Sequence, residues 1–301
     1  MHTWDTTLTT AHIDDPSLRA AYTAQRTVVA GYRRHAYLAV RLLLPPALVP
    51  HVIAATAFMH HTDTVLDKTN GRDGQDGWPA WEAEARTGLD GGNSTHPVLR
   101  PLLRTISTHP QLTGHVTDFL DGAPLEREST GFATETAYQK YVDAYSLPAF
   151  MLIASLLLSP GADPVASREV CRTYIDGSQR LDFVNDLSED LRDGRLGLSD
   201  EALERHGVTR GDLERARDTT GTRALLRTQL EQARRDLLAA RRLVAFAPPG
   251  HRAFTRAVVA LETLTADRAL AAGTGLLRRP ARPPLAGALG VLTRELRHRG
   301  R

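Results

Sequence analysis

The sequence predicts an all-α protein built as one helical domain, and three observations carry that expectation. Its long apolar segments repeat with a 3.6-residue period and show no sustained strand-type alternation. Hydrophobic residues make up 42% of the 301-residue chain, enough for a full core. No linker long enough to separate two domains, no internal repeat and no coiled-coil heptad interrupts the chain, so one domain over 1–301 is expected. The single Cys171 excludes an intramolecular disulfide framework and fits a reducing cytosol. The start, MHTWDTTLTT, is polar and lacks a signal-peptide pattern. The longest apolar run, LPAFMLIASLLL (147–158), is shorter than the about 20 residues a bilayer requires. A soluble, cytoplasmic protein follows as the expectation.

The elements read in order. Asp15-Pro16 is an N-cap followed by proline at the first helical position, opening a helix toward Arg33. HAYLAVRLLL (35–44) is a second helix, stopped by Pro45-Pro46. VIAATAFMHHTDTVLD forms a third and ends near the glycine-rich loop NGRDGQDG (70–77). Shorter helices fill 78–122, separated by GLDGGNSTHP and STHPQL. A long apolar helix spans about 134–159. After SPGADP another begins near Ala166 and continues through YIDGSQRLDFVNDLSEDLRDGR. Leu226, Leu230, Ala233 and Leu237 make an apolar stripe on a helix between 209 and 245. AFAPPGH (245–251) breaks the chain before a penultimate helix to about Ala272. Leu285, Leu289, Leu292 and Leu296 form a last stripe, which is expected to pack a final helix on the body; the other reading lays that helix on an anionic membrane.

The net charge of +2 is unevenly spread. Residues 278–301 carry seven arginines against Glu295, about +6, leaving about −4 for the rest. Nucleic-acid binding would need a broader basic face interleaved with aromatics, so it is not expected.

Chemistry concentrates in two stretches. In FMHHTDTVLD (58–67), Asp63 and Asp67 stand four apart and share a helical face with His60. Like charges at that spacing destabilise an isolated helix by a few tenths of a kcal/mol, and a cation is the first candidate to offset this. In QRLDFVNDLSEDLRDGR (179–195), Asp182, Asp186 and Asp190 are spaced by four, with Gln179 one turn earlier and Glu189 beside them. Solvated helix faces also carry such acids. Here no basic residue four positions on compensates Asp182 or Asp186, and Leu181, Phe183, Val184 and Leu187 indicate partial burial. Mg²⁺ prefers carboxylate oxygens, typically one or two, completed by substrate phosphates. Two such helices facing each other would hold a diphosphate through bridging Mg²⁺. A phosphate-binding glycine loop is absent, the one ExxH lies in the basic tail at Glu295–His298, and His60 and His61 point about 100° apart, which disfavours zinc. Cys171 reads as a small core residue.

The order and spacing of these stretches, over roughly 30–275, resemble the squalene/phytoene synthase family. AYLAVRLLLPP (36–46) resembles its N-terminal segment, FMHHTDTVLD its first aspartate motif, and QRLDFVNDLSEDLRDGR its second, with Gln179, Asp186, Glu189, Asp190, Gly194 and Arg195 in register. YVDAYSLPAF (141–150) is similar to its pocket-lining helix. The resemblance implies a class I isoprenoid synthase bundle with a central cavity and two or three Mg²⁺ ions. It implies Asp63, Asp67, Asp186, Glu189 and Asp190 as metal ligands. Gln179, Asn185, Arg195 and His60 would contact the diphosphate, and Tyr37, Tyr141, Tyr145 and Phe150 would line the pocket.

Departures from the family pattern sharpen this. His60 stands where an arginine is usual, Thr64 where a second aspartate is, Asp182 where an asparagine is, and Asn185 where an arginine is. Phe254 and Ala266 stand where tyrosines are usual. With the metal clusters kept and these groups changed, the expectation is one ionisation. A short allylic prenyl group would pass to an electron-rich aromatic acceptor such as a carbazole, in secondary metabolism, with Asp182 as an added catalytic carboxylate. The alternatives are a head-to-head synthase making a squalene- or phytoene-like hydrocarbon, and a non-catalytic helical partner protein. The expected partners are a prenyl diphosphate and an aromatic acceptor, with at most peripheral membrane contact; a homodimer stays open.

Overall fold

The computed structural model describes residues 2–32, 34–69 and 77–298, with backbone alone for Tyr32, His35 and residues 67–69. Along the chain run α1 (Trp4–Thr10), α2 (Pro16–Tyr32), α3 (Arg34–Leu43), α4 (Val49–Thr69), α5 (Trp78–Gly91), α6 (Leu99–Thr108), α7 (Leu112–Glu128) and α8 (Glu135–Tyr141). A π-helical turn (Val142–Ser146) leads into α9 (Leu147–Leu157), followed by α10 (Pro164–Asn185), α11 (Leu187–Asp190), α12 (Asp200–Arg205) and α13 (Arg210–Glu214). The chain continues as α14 (Thr220–Ala239), α15 (Leu243–Phe246), α16 (Pro249–Ala272) and α17 (Leu285–His298). No strand forms among the described residues; the single β-bridge joins Phe132 to Ser199. The all-α expectation holds. Among the described residues no helix is long and apolar enough to cross a membrane. The loop NGRDGQDG falls, apart from Gly77, outside the described residues.

Local chemistry sets the boundaries. The Asp15 carboxylate accepts from the Leu18 backbone N–H at 2.7 Å and from the Ser17 hydroxyl, starting α2 at Pro16. Asp163 caps α10 through the Val165 and Ala166 N–H groups, so that helix begins at Pro164. Three expected helices are interrupted. The one placed over 134–159 contains the π turn. The one placed between 209 and 245 splits, because Thr209 and Asp212 cap a short α13 reciprocally and Thr219 caps α14 afresh. The second-motif helix breaks at Asp186, whose backbone leaves helical geometry before α11 resumes.

Two large hydrophobic cores result, beside a smaller N-terminal cluster of Leu8, Ala11, Ile13, Tyr22 and Ala54. One gathers α4, α6, α7, α9 and the N-terminal part of α16; the other gathers α10, α14 and the rest of α16. Glycine permits the closest approach between elements. A Cβ on Gly122 in α7 would stand 2.0 Å from the Ala144 carbonyl oxygen, so only glycine lets α7 press against the π turn.

The final helix packs on α16, but by only part of the face its leucines suggested. Val291 and Glu295 are buried and Leu292 is half-buried against the core, while Leu285, Leu289 and Leu296 are exposed. Glu295 receives the Arg256 Nε–H at 2.6 Å and the Arg294 Nε–H at 3.2 Å, which turns a charged residue inward and rotates these three leucines away.

Candidate active site

A cavity of about 560 Å³ lies between the cores and is lined from α2, α3, α4, α9, α10 and α16 together with the turns beside them. Each helix contributes one face at helical spacing. From α4 come Val52, Ile53, Thr56, Met59 and Asp63; from α10 come Tyr174, Ile175, Ser178, Gln179, Asp182 and Phe183, continued by Asp186 and Asp190. The break at Asp186 does not turn the aspartates away, because the Asp190 N–H still donates to the Asp186 carbonyl at 3.0 Å.

The cavity has a polar end and an apolar end. Val52 and Asp63 are separated by about 16 Å along α4, at 1.5 Å per residue. At the polar end, Asp63 receives the Tyr145 hydroxyl at 2.6 Å, and Ser146 donates to the Gln179 side-chain oxygen at 3.0 Å. At the apolar end stand Leu157, Leu158, Leu243, Ala247 and Phe254, where His251 Nδ1 lies 3.0 Å from the Leu157 carbonyl. Tyr37, Tyr141, Tyr145 and Phe150 all line the space between, as their sequence reading expected.

Glu126 joins the second motif to the aromatic wall. Its carboxylate accepts from Arg195 at 2.6 Å and from the Tyr141 hydroxyl at 2.5 Å. Burial opposes the Arg195 charge, but Glu126 outweighs it and holds the guanidinium protonated. Burial, then the charges of Asp63 and Glu126, raises the Tyr145 hydroxyl well above its ordinary range, so it remains a donor. Burial also pushes Asp190 up to about 6; Arg195 pulls the other way, and Asp182, Asp193 and Glu189 add to the rise.

The structure brings Asp63, Asp182, Asp186, Asp190, Gln179 and Arg195 around one cavity. It does not bring three candidates to that lining. His60 is half-buried on α4, and Glu189 is exposed on α11. The Asn185 side-chain oxygen accepts from the Ala281 N–H at 2.8 Å, which ties it to the segment before α17. Asp67 continues the cavity face of α4, with its side chain outside the described residues.

Two lining acids escaped the sequence reading. Glu126 sits in PLEREST without a periodic partner, and nothing local marks it. Glu262 carried a usable signal, a lone acid inside the apolar run VVALETL.

Behind α10, a buried ionic network fixes its axis. Arg180 bonds to Glu135 at 2.5 Å, Gln229 at 2.7 Å and Asp176 at 3.3 Å, and lies over the Tyr138 ring. Arg172 pairs with Asp143, Asp176 and Gln139 nearby.

Among the described residues, no three acidic, histidine or cysteine side chains converge tightly enough to chelate an ion by themselves. The donor set nevertheless suits Mg²⁺, which needs only one or two carboxylates when substrate phosphates complete its shell. Asp63 from α4 and Asp186 and Asp190 from the α10–α11 segment line the same cavity.

Aspartates from two helices lining one deep apolar cavity, in an all-α bundle, define the isoprenoid synthase class. This chain belongs to the squalene/phytoene synthase family, which it matches over residues 29–287. It is similar to the bifunctional protein CrtB/UppS of Streptomyces coelicolor, 24% identical over 219 residues. That match covers 72% of this chain and 38% of the relative, so the chain spans well under half of that protein's length. The fold is similar to the crystal structure of squalene synthase HpnC from Alicyclobacillus acidocaldarius, with a TM-score of 0.74, 21% identity, and 90% and 99% of the two chains covered. It is also similar to a dehydrosqualene synthase in complex with ligand, with a TM-score of 0.83, 18% identity, and 93% and 96% covered. The chain thus combines membership of the squalene/phytoene synthase family with the all-α fold of these synthases.

Proposed function

We propose that this chain joins two allylic prenyl diphosphates head to head, in a Mg²⁺-dependent reaction that releases both diphosphates and a proton to give a phytoene-like hydrocarbon, or a squalene-like one where a hydride donor is supplied in place of the proton loss. One observation carries the reading: a single cavity holds carboxylates from two helices at one end and a hydrocarbon lining at the other. The family and the names of its similar members support head-to-head coupling over the single aromatic transfer expected from the sequence.

Asp63, Asp186 and Asp190, with Asp67, would hold the metal, and bound Mg²⁺ would draw electron density from the diphosphate as the carbon–oxygen bond breaks. Arg195, kept charged by Glu126, and Gln179 would orient the diphosphate. Tyr145 fixes the Asp63 carboxylate through its hydroxyl. The rings of Tyr141, Tyr145, Phe150 and Phe183 present π faces to an allylic cation and exclude water from it.

A second reading, transfer of one prenyl group to an aromatic acceptor, is favoured by two features. Asp182 places a further carboxylate at the cavity, where it can accept a proton from an aromatic OH or NH. Asn185 stands outside the cavity lining, its side-chain oxygen accepting from the Ala281 N–H and its amide donating to the Asp186 carboxylate at 3.3 Å. Incubation with Mg²⁺ and dimethylallyl, geranyl or farnesyl diphosphate, with and without hydroxylated carbazoles, separates the two. Head-to-head coupling predicts diphosphate release and a hydrocarbon of doubled chain length without acceptor. Release only with acceptor, which gains one prenyl mass, would replace it by the second reading. An absence of release under every condition would return the chain to a non-catalytic role.

A further inference from the structure

The rotation of α17 leaves a surface the proposed reaction does not use. Leu285 is 71% exposed, Leu289 63% and Leu296 41%, three of the seven large hydrophobic side chains exposed among the described residues. Scattered exposed leucines need no explanation, but three on one 14-residue helix at i, i+4 and i+11 form a stripe. The helix α3 packs against α17 and supplies Ala36, Tyr37 and Val40 to the cavity wall.

The charges around the stripe are of one sign. Arg282 stands three residues before Leu285, Arg297 directly follows Leu296, and Arg278, Arg279 and Arg294 are also exposed. The one acid of the segment, Glu295, is buried and already engaged by Arg256 and Arg294. An isologous contact with a second copy would set these arginines against their own kind, which charge repulsion opposes. A surface of clustered anionic headgroups over hydrocarbon matches both features at once: the arginines meet the phosphates and the leucines enter the acyl boundary.

We infer that α17 is a lipid-docking element, laying the stripe Leu285–Leu289–Leu296 onto an anionic bilayer surface while the rest of the bundle stays outside it. This rests on α17 alone and is independent of the reaction proposed above.

The full chain would be sedimented with vesicles of phosphatidylglycerol and phosphatidylcholine, and with pure phosphatidylcholine vesicles, at low and high salt. The expected result is binding to the anionic vesicles, roughly tenfold or more weaker on neutral ones, and weakened by salt. The variant Leu285→Glu/Leu289→Glu should lose binding by about tenfold or more with an unchanged Tm, because both side chains are exposed. Arg282→Glu/Arg297→Glu should do the same. A fluorophore on Leu289→Cys should shift to shorter wavelength on adding anionic vesicles. Equal or absent binding to both vesicle types would overturn the inference, as would binding indifferent to the leucine variant. A concentration-dependent dimer that the leucine variant abolishes, without vesicle binding, would assign the stripe to self-association instead.

Discussion

Substituting Gly122 by alanine tests how packing is transmitted to the site. In α7, the added methyl would stand 2.0 Å from the Ala144 carbonyl oxygen and 3.0 Å from its carbon, where ordinary contact begins at 3.4 Å. No rotamer can relieve this, since both partners are main chain. The π turn must therefore move away by about 1.4 Å, in an interior packed too densely to absorb that locally. Overpacking of this kind costs about 1–3 kcal/mol, and a backbone clash belongs near the upper limit. At about 2–4 °C per kcal/mol for a chain of this size, Tm should fall by about 5–10 °C. The turn carries Tyr145, whose hydroxyl holds Asp63, and a 1 Å displacement at a reacting centre costs on the order of 10²-fold in rate. Calorimetry and kcat/KM would be measured on the variant beside Gly114→Ala. Gly114 lies in the same helix with nothing within 4 Å of the added carbon, so that variant should match or slightly exceed the parent. A Tm within 2 °C of the parent would refute the packing argument. A lowered Tm with unchanged kcat/KM would refute the link between the turn and the site.

Three further outcomes follow from the geometry. Asp186→Asn should abolish at least about 10²-fold of diphosphate release while leaving Tm within a few degrees, and retained turnover would remove Asp186 from the metal set. Asp190 keeps its proton up to about pH 6 in the folded chain, whereas the unfolded carboxyl ionises from 3.8; this group therefore costs stability as pH rises between those values. Because a ligating carboxylate must be ionised, the Tm increase on adding Mg²⁺ and diphosphate should shrink below pH 6 and lose that dependence in Asp190→Asn; an equal increase at pH 5 and 7 would contradict it. Arg180→Leu should remove the cation from Glu135, while Asp176 keeps Arg172, and cost up to about 3–5 kcal/mol, reduced because the Glu135 side chain is 42% exposed; denaturant unfolding with a loss below about 1 kcal/mol would show the network to be dispensable.

Much of the site was legible because its signals are local. Asp63, Gln179, Asp182, Asp186 and Asp190 share helical faces by spacing alone, and helix geometry does not depend on what packs against it. Tyr141 and Tyr145 stand four apart and both reach the cavity. Glu126 was not legible, because its role depends on α7 delivering it to an arginine sixty-nine positions away. The tie between Asn185 and the segment before α17 was not legible for the same reason: its oxygen accepts from a backbone N–H ninety-six positions on. The leucines of α17 gave the correct element and only part of its buried face, Leu292, since periodicity cannot foresee that Arg256 draws Glu295 inward.

By itself the sequence determined the helical class, the two aspartate-bearing helices, the aromatic pocket residues and the family they point to, since propensity, capping and 3.6-residue spacing act within a few residues. The tertiary structure alone decided which helix faces meet. It broke α10 at Asp186, inserted the π turn against Gly122, placed Glu126 between Arg195 and Tyr141, and turned Leu285, Leu289 and Leu296 of α17 outward. Each of these is a competition between groups far apart in the chain for one partner or one space, and only their packing together decides it.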